Sequence, residues 1–167
     1  RRKYFFTATP KMSAKHERGM NNEDVYGNNL ITVSADELLD CGAILPPTVN
    51  VHTVDTVRTR EEVADIDAET VLRVIQADDA ERVLVSAPSA RIINAMMAFT
   101  DLFRELRQAD YNVMTITSKH GAIINGVKTS RSKFFEALDQ FSNTGQKFVL
   151  FHYSILSEGI NVSGLTN

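Results

Sequence analysis

Arg82-Val83-Leu84-Val85-Ser86-Ala87-Pro88-Ser89 decides the fold class. Its Val83-Leu84-Val85 centre is a short apolar run of the kind that forms a buried strand in a parallel sheet. Ser89 then opens a helical pattern that continues to about Gln108, with Ile92, Met96, Phe99, Phe103 and Leu106 on one side. A strand followed by a helix is the repeating unit of α/β domains.

The same alternation extends in both directions. Downstream, Asn112 to Thr117 predicts a strand and residues 118–129 a glycine-containing loop. A helix is predicted from Ser130 to Asn143, with Phe134, Leu138 and Phe141 at helical spacing and Gly145 as its C-cap. Lys147 to Phe151 predicts the last strand. Upstream, residues 61–77 predict a helix whose apolar face is Val71, Leu72, Val74 and Ile75. Val49, Val51 and Val54 suggest a strand leaving Pro46-Pro47. Ser34 is placed to cap a short helix through Asp40, with Gly42 ending it. Residues 3–7 and 29–34 read as short strands, and residues 11–28 as a long polar loop. Strands near 48–54, 82–87, 112–117 and 147–152 are expected in one mainly parallel sheet, with the helices after Ser89 and Ser130 on its faces.

The 167 residues fit one domain of ordinary size, and 43% apolar with 23% charged residues allows a buried core. A formal net charge of −3 gives no bulk attraction to phosphates. Any nucleic-acid contact must come from a local basic patch. A single cysteine, Cys41, excludes an internal disulfide and any multi-cysteine zinc site, and is read as a buried thiol in a reducing compartment. No apolar run approaches the ~20 residues of a membrane span. Arg1 to Phe6 resembles the start of a signal peptide, but the apolar stretch stops at Thr7-Ala8-Thr9-Pro10. A cytoplasmic protein without membrane contact is expected. Both ends of the chain read as cut rather than natural.

The four histidines, His16, His52, His120 and His152, form no HxxxH or HExxH spacing, so no metal site is predicted. Neither a nucleophile elbow nor a glycine-rich phosphate cradle is present. No residue is assigned a catalytic role.

Four stretches carry a pattern through their order. Tyr4-Phe5-Phe6-Thr7-Ala8-Thr9-Pro10 leads into a hydroxyl-rich turn. Tyr26-Gly27 and Ala35 to Pro47 combine a short helix with a Gly-Ala-Ile-Leu-Pro exit. Arg82 to Ser89 precedes the longest helix. Phe148 to Val162 contains Leu156-Ser157-Glu158-Gly159-Ile160-Asn161-Val162. In this order, each beside a predicted strand, they resemble motif III, the inter-lobe connector, motif IV and motif V of superfamily 2 helicases, the DEAD-like group that includes restriction-enzyme motor subunits.

The resemblance implies a three-layer RecA-like (P-loop NTPase-like) α/β domain with a mainly parallel sheet. Residues 1–47 would end a first motor lobe and connect it to the second. Residues 48–167 would be the second lobe, truncated before motif VI. Thr7, Thr9 and Glu158 would couple the lobes. Gly159 and Asn161 would contact nucleotide, Gly159 because it lacks a Cβ, although the family's usual residue at the Asn161 position is aspartate. Ser86, Ser89, Arg91, Ser118, Lys119, Ser154 and Ser157 would hold nucleic-acid phosphates. The family's frequent Thr-Asp pair is Tyr153-Ser154 here. For Ser89 a plain N-cap is the competing reading. For Arg131 and Lys133, which with Lys119 and Lys128 make the compact basic cluster, it is a solvated helix face.

The implied partners are DNA (or RNA) and the upstream lobe of the same parent chain, with ATP and Mg2+ acting in the full-length parent. The phosphate-binding lysine loop, the acidic Mg2+ motif and the arginine finger are not in this sequence, so no bound cofactor and no ATP hydrolysis are expected of these residues alone. The alternative is a non-catalytic nucleic-acid-binding or docking module with a helicase-like fold.

Overall fold

The computed structural model describes residues 4–7, 10–28, 31–46, 48–53 and 59–153. The chain divides into two units, Arg1–His52 and Thr53–Asn167.

Among the described residues of the first unit, a 3-10 turn (His16–Arg18) and two short α-helices form, α1 (Glu23–Tyr26) and α2 (Ala35–Asp40). The expected cap of α2 is present as a reciprocal pair. Ser34 N–H donates to Glu37 Oε2 at 2.7 Å, and Glu37 N–H donates to Ser34 Oγ at 3.2 Å. The long loop is pinned by Asn21, whose Oδ1 accepts from Ser13 N–H and whose Nδ2 donates to Ser13 C=O, both at 3.0 Å. Gly19 sits inside this clasp, where a Cβ would collide with Asn21 Oδ1 and the Ser13 backbone nitrogen. Phe5 and Tyr26 meet edge to face at 5.0 Å.

Four expectations fail here, three of them strands. The described parts of the anticipated strands, residues 4–7, 31–34 and 48–53, are irregular. A strand requires a neighbour to bond its backbone, and β-branched composition does not supply one. Cys41 is exposed rather than buried, its thiol 3.4 Å from the Leu38 carbonyl.

The second unit holds a five-stranded sheet: β1 (Arg82–Ser86), β2 (Asn112–Thr117), β3 (Gly121–Ile124), β4 (Val127–Thr129) and β5 (Phe148–His152). Its order is β1-β5-β2-β3-β4. β5 pairs in parallel with β1 and β2, whereas β3 is antiparallel to both β2 and β4. The sheet is therefore mixed, not mainly parallel. The difference lies in residues 118–129, expected as a loop, which fold into a hairpin. Asn125 and Gly126 have φ of 50° and 84°, the pair of positive angles that a two-residue type I′ turn demands. Asn125 also ties the hairpin to β2. Its Oδ1 accepts from Val113 N–H at 2.8 Å, and its Nδ2 donates to Asn112 Oδ1 at 3.0 Å.

The helices are α3 (Arg60–Ala77), α4 (Ala90–Phe99), α5 (Leu102–Gln108) and α6 (Arg131–Thr144). The helix expected from Ser89 to Gln108 is broken at Thr100. Its hydroxyl donates to Met96 C=O at 2.7 Å and accepts from Leu102 N–H at 3.3 Å, ending one helix and starting the next. The break turns Leu102 and Leu106 fully inward and leaves Phe99 48% exposed.

Strand residues alternate between two apolar clusters. Val113, Val149 and Phe151 pack with Ala64, Ala68 and Ile75 of α3, Ile93 and Met96 of α4, and Leu102 and Leu106 of α5. Met114, Ile116, Phe148 and Leu150 pack with Phe134 and Leu138 of α6. β5, flanked on both edges and covered on both faces, is buried along its whole length. As expected, Gly145 ends α6 in the left-handed region, its φ 70°.

Candidate functional site

The parallel register fixes where three loops leave the sheet. Ser86 lies opposite His152, and His152 lies opposite Ile116. The three C-terminal strand ends are therefore level, with Ser86 and Ile116 two strand spacings apart, roughly 10 Å. Loops and helix N-termini gather at such an edge in open α/β sheets.

Beyond β1, Ala87 N–H donates to His152 C=O at 2.9 Å, tying the first loop to the central strand. Ser86 is exposed, Ser89 half-buried and Arg91 exposed. Ser89 occupies the N-cap of α4 in extended backbone but makes no side-chain capping bond. The plain capping reading thus lacks its hydrogen bond, and the hydroxyl remains able to engage another group.

Beyond β2, Thr117 is buried and its Oγ1 accepts from His120 N–H at 3.1 Å. This bond folds the chain into a tight turn that holds Ser118 and Lys119 in solvent. His120 closes the turn, with Nε2 2.7 Å from Asn94 Nδ2 on α4. An amide nitrogen only donates, so in this amide orientation Nε2 accepts and the proton sits on Nδ1. The turn carrying Lys119 and the helix following Ser89 are thereby joined.

His152 ends the central strand with 3% exposure, and its Nδ1 has no hydrogen-bond partner among the described residues. Burial holds the imidazole below its ordinary pKa, favouring the neutral ring.

The edge therefore offers serine hydroxyls, the N–H groups of a helix start and two exposed cations, Arg91 and Lys119. Such groups suit the oxygens of a phosphodiester. Two of the remaining basic candidates have neighbours of their own. Arg131 stacks 5.5 Å over the Phe135 ring, an interaction internal to α6. Lys128 reaches back from β4 toward Gly121. Thr7 is exposed in the first unit. Thr9, Ser154, Ser157, Glu158, Gly159 and Asn161 lie outside the described residues. No cluster of three or more His, Cys, Asp or Glu that could hold a metal occurs among the described residues.

The chain matches no protein-family model, no curated protein and no solved structure. Among the described residues no helix is long and apolar enough to cross a membrane.

Sequence reasoning missed three elements of this edge. The Asn94–His120 bond spans 26 positions and leaves no local pattern. The buried imidazole of His152 depends on strand order. The hairpin, in contrast, was signalled by Asn125-Gly126 between Ala122-Ile123-Ile124 and Val127-Lys128-Thr129.

Proposed function

We propose that this chain is the nucleic-acid-facing second lobe of a superfamily 2 ATP-dependent helicase or translocase. In this reading the parallel strands β1, β5 and β2, with helices on both faces, are the RecA-like three-layer portion. The β3–β4 hairpin is an addition to that portion. ATP and Mg2+ belong to the full-length parent, with Gly159 and Asn161 contributing to the nucleotide contact and Glu158, Thr7 and Thr9 to coupling. Ser86, Ser89, Arg91, Ser118 and Lys119 hold the phosphate backbone of DNA (or RNA), joined by Ser154 and Ser157 beyond the last strand.

The observation that carries this reading is the level register of Ser86, His152 and Ile116, which brings the loops of the motif IV and Lys119 stretches to one edge. Their cations are few in a chain of net charge −3. Binding should thus be weak, indifferent to sequence and strongly salt-dependent.

Fluorescence anisotropy with a labelled single-stranded oligonucleotide, across a salt titration, tests it. Lys119→Ala should weaken binding and reduce the log–log salt slope by about 0.7, one phosphate contact. Equal affinities and slopes for both proteins would remove this turn from the site. No binding by the unaltered chain at low salt would reject the reading.

A further inference from the structure

Away from that edge, a cleft of about 490 Å³ opens between α5 and the β2–β3 face of the sheet. It exists because the hairpin widens the sheet past the reach of the short helix. α5 packs on β2, and the next strand over leaves Ile123 half-exposed. Thr115 and Ile123 are cross-strand partners and share this face, with Val113 two positions along β2.

The lining has two chemistries. Val113, Ile123, Phe103 and Met97 make an apolar bed, and the nearly buried Thr115 adds a hydroxyl to its floor. Arg104, Arg107 and Gln108 line the helix side. No carboxylate lines the cleft among the described residues. Arg104 is held by Asp101 at 2.6 Å, while Arg107 has no ion-pair partner among the described residues. Lys128 stands opposite Ile123 on the same face, but its side chain runs toward Gly121 and does not line the cleft. In a chain of net negative charge this is a local reversal of sign over a concave apolar surface. Volumes of roughly 300–1,000 Å³ with an apolar lining and a few placed polar groups are typical of small-molecule sites.

We propose that this cleft binds a small amphipathic anion, an apolar body carrying one carboxylate or phosphate head. The body lies on Phe103, Val113 and Ile123, and the planar guanidinium of Arg107 takes the head through paired N–H donors. Arg104 joins only by releasing Asp101. The site is independent of the nucleic-acid reading, since none of its lining residues belongs to the strand-end loops.

The test is a titration of the full chain followed by amide chemical shifts, with 4-phenylbutyrate, 4-phenylbutyl phosphate, the neutral 4-phenylbutan-1-ol and inorganic phosphate as probes. At least one amphipathic anion should saturate, with the largest shifts at Thr115, Ile123 and Gly126. The tighter of the two identifies the head group. Arg107→Gln should weaken that anion about fivefold or more and leave the alcohol unchanged. Asp101→Asn, which frees Arg104, should tighten it. Alcohol or inorganic phosphate binding as tightly as the anion would overturn the proposal. So would shifts centred elsewhere, or an Arg107→Gln protein that binds the anion unchanged.

Discussion

The side-chain amide of Asn94 on α4 lies 2.7 Å from His120 Nε2 in the turn after β2. This bond joins two segments that leave the sheet from strands separated by β5. A partly buried neutral hydrogen bond contributes about 1 kcal/mol. A double-mutant cycle with Asn94→Ala and His120→Ala should therefore return a coupling energy of about 1 kcal/mol by urea denaturation. Under the nucleic-acid reading, Asn94→Ala should also loosen the turn and lower oligonucleotide affinity, though Asn94 carries no charge. Additive effects of the two substitutions would remove the link.

The hairpin rests on Asn125 more than on its strands. Asn125→Ala removes the acceptor of the nearly buried Val113 N–H, at a cost of about 1–3 kcal/mol. Asn125→Asp keeps that acceptor but loses the donor to Asn112, so its loss should be smaller. Gly126→Ala forces a Cβ onto a φ of 84°, costing about 1–2 kcal/mol. Urea denaturation curves of the three variants rank them, and a harmless Asn125→Ala would refute the anchor.

Core packing beneath the other face depends on Phe134, which is fully buried at the start of α6. Phe134→Ala should cost about 3–5 kcal/mol, from lost burial and an incompletely filled cavity. Urea denaturation should show it as a large fall in the midpoint. A change within about 0.5 kcal/mol, the range of an ordinary surface position, would mean that α6 does not depend on this ring.

The buried His152 imidazole predicts a pH dependence. Burial holds its pKa below the ordinary value of about 6.5. Between the two values the unfolded chain carries a proton that the fold does not, so acid favours unfolding. This contribution is complete above about pH 6.5 and is lost as pH falls through that value toward the lower folded one. Asp67 has the opposite sign, because burial raises its carboxyl and the fold favours the protonated form. The urea midpoint of the unaltered chain should be lower at about pH 5.5 than at about pH 7.5, and His152→Gln should flatten that difference. An unchanged pH dependence in the variant would assign it to other groups.

Much of the second unit was legible because its signals are local. Val83-Leu84-Val85 and Phe148-Val149-Leu150-Phe151 are apolar runs that only a strand covered on both faces accommodates. Gly145 after α6, like Ser34 with Glu37 in the first unit, acts within one turn of chain, so these caps follow from spacing alone. The hairpin was equally local in Asn125-Gly126, but reading 118–129 by its glycines and basic residues hid it.

Other features depended on distant parts of the chain. Whether Val49 and Val51 pair depends on a neighbouring strand, and composition cannot specify one. The break at Thr100 competes with an otherwise continuous helical pattern. Leu102 and Leu106 bury only because α5 turns back onto Phe151 and β2. Residue order alone determined that Arg82–Ser86, Asn112–Thr117 and Phe148–His152 become strands, that Arg60–Ala77 and Arg131–Thr144 become helices, and which hydroxyls and cations follow the strands. Tertiary structure decided that β5 runs between β1 and β2, which levels Ser86 with His152, buries an imidazole and brings Asn94 to His120. The physical reason is range: caps and periodicity act over a few residues, whereas strand order is set by burying both faces of a sheet at once.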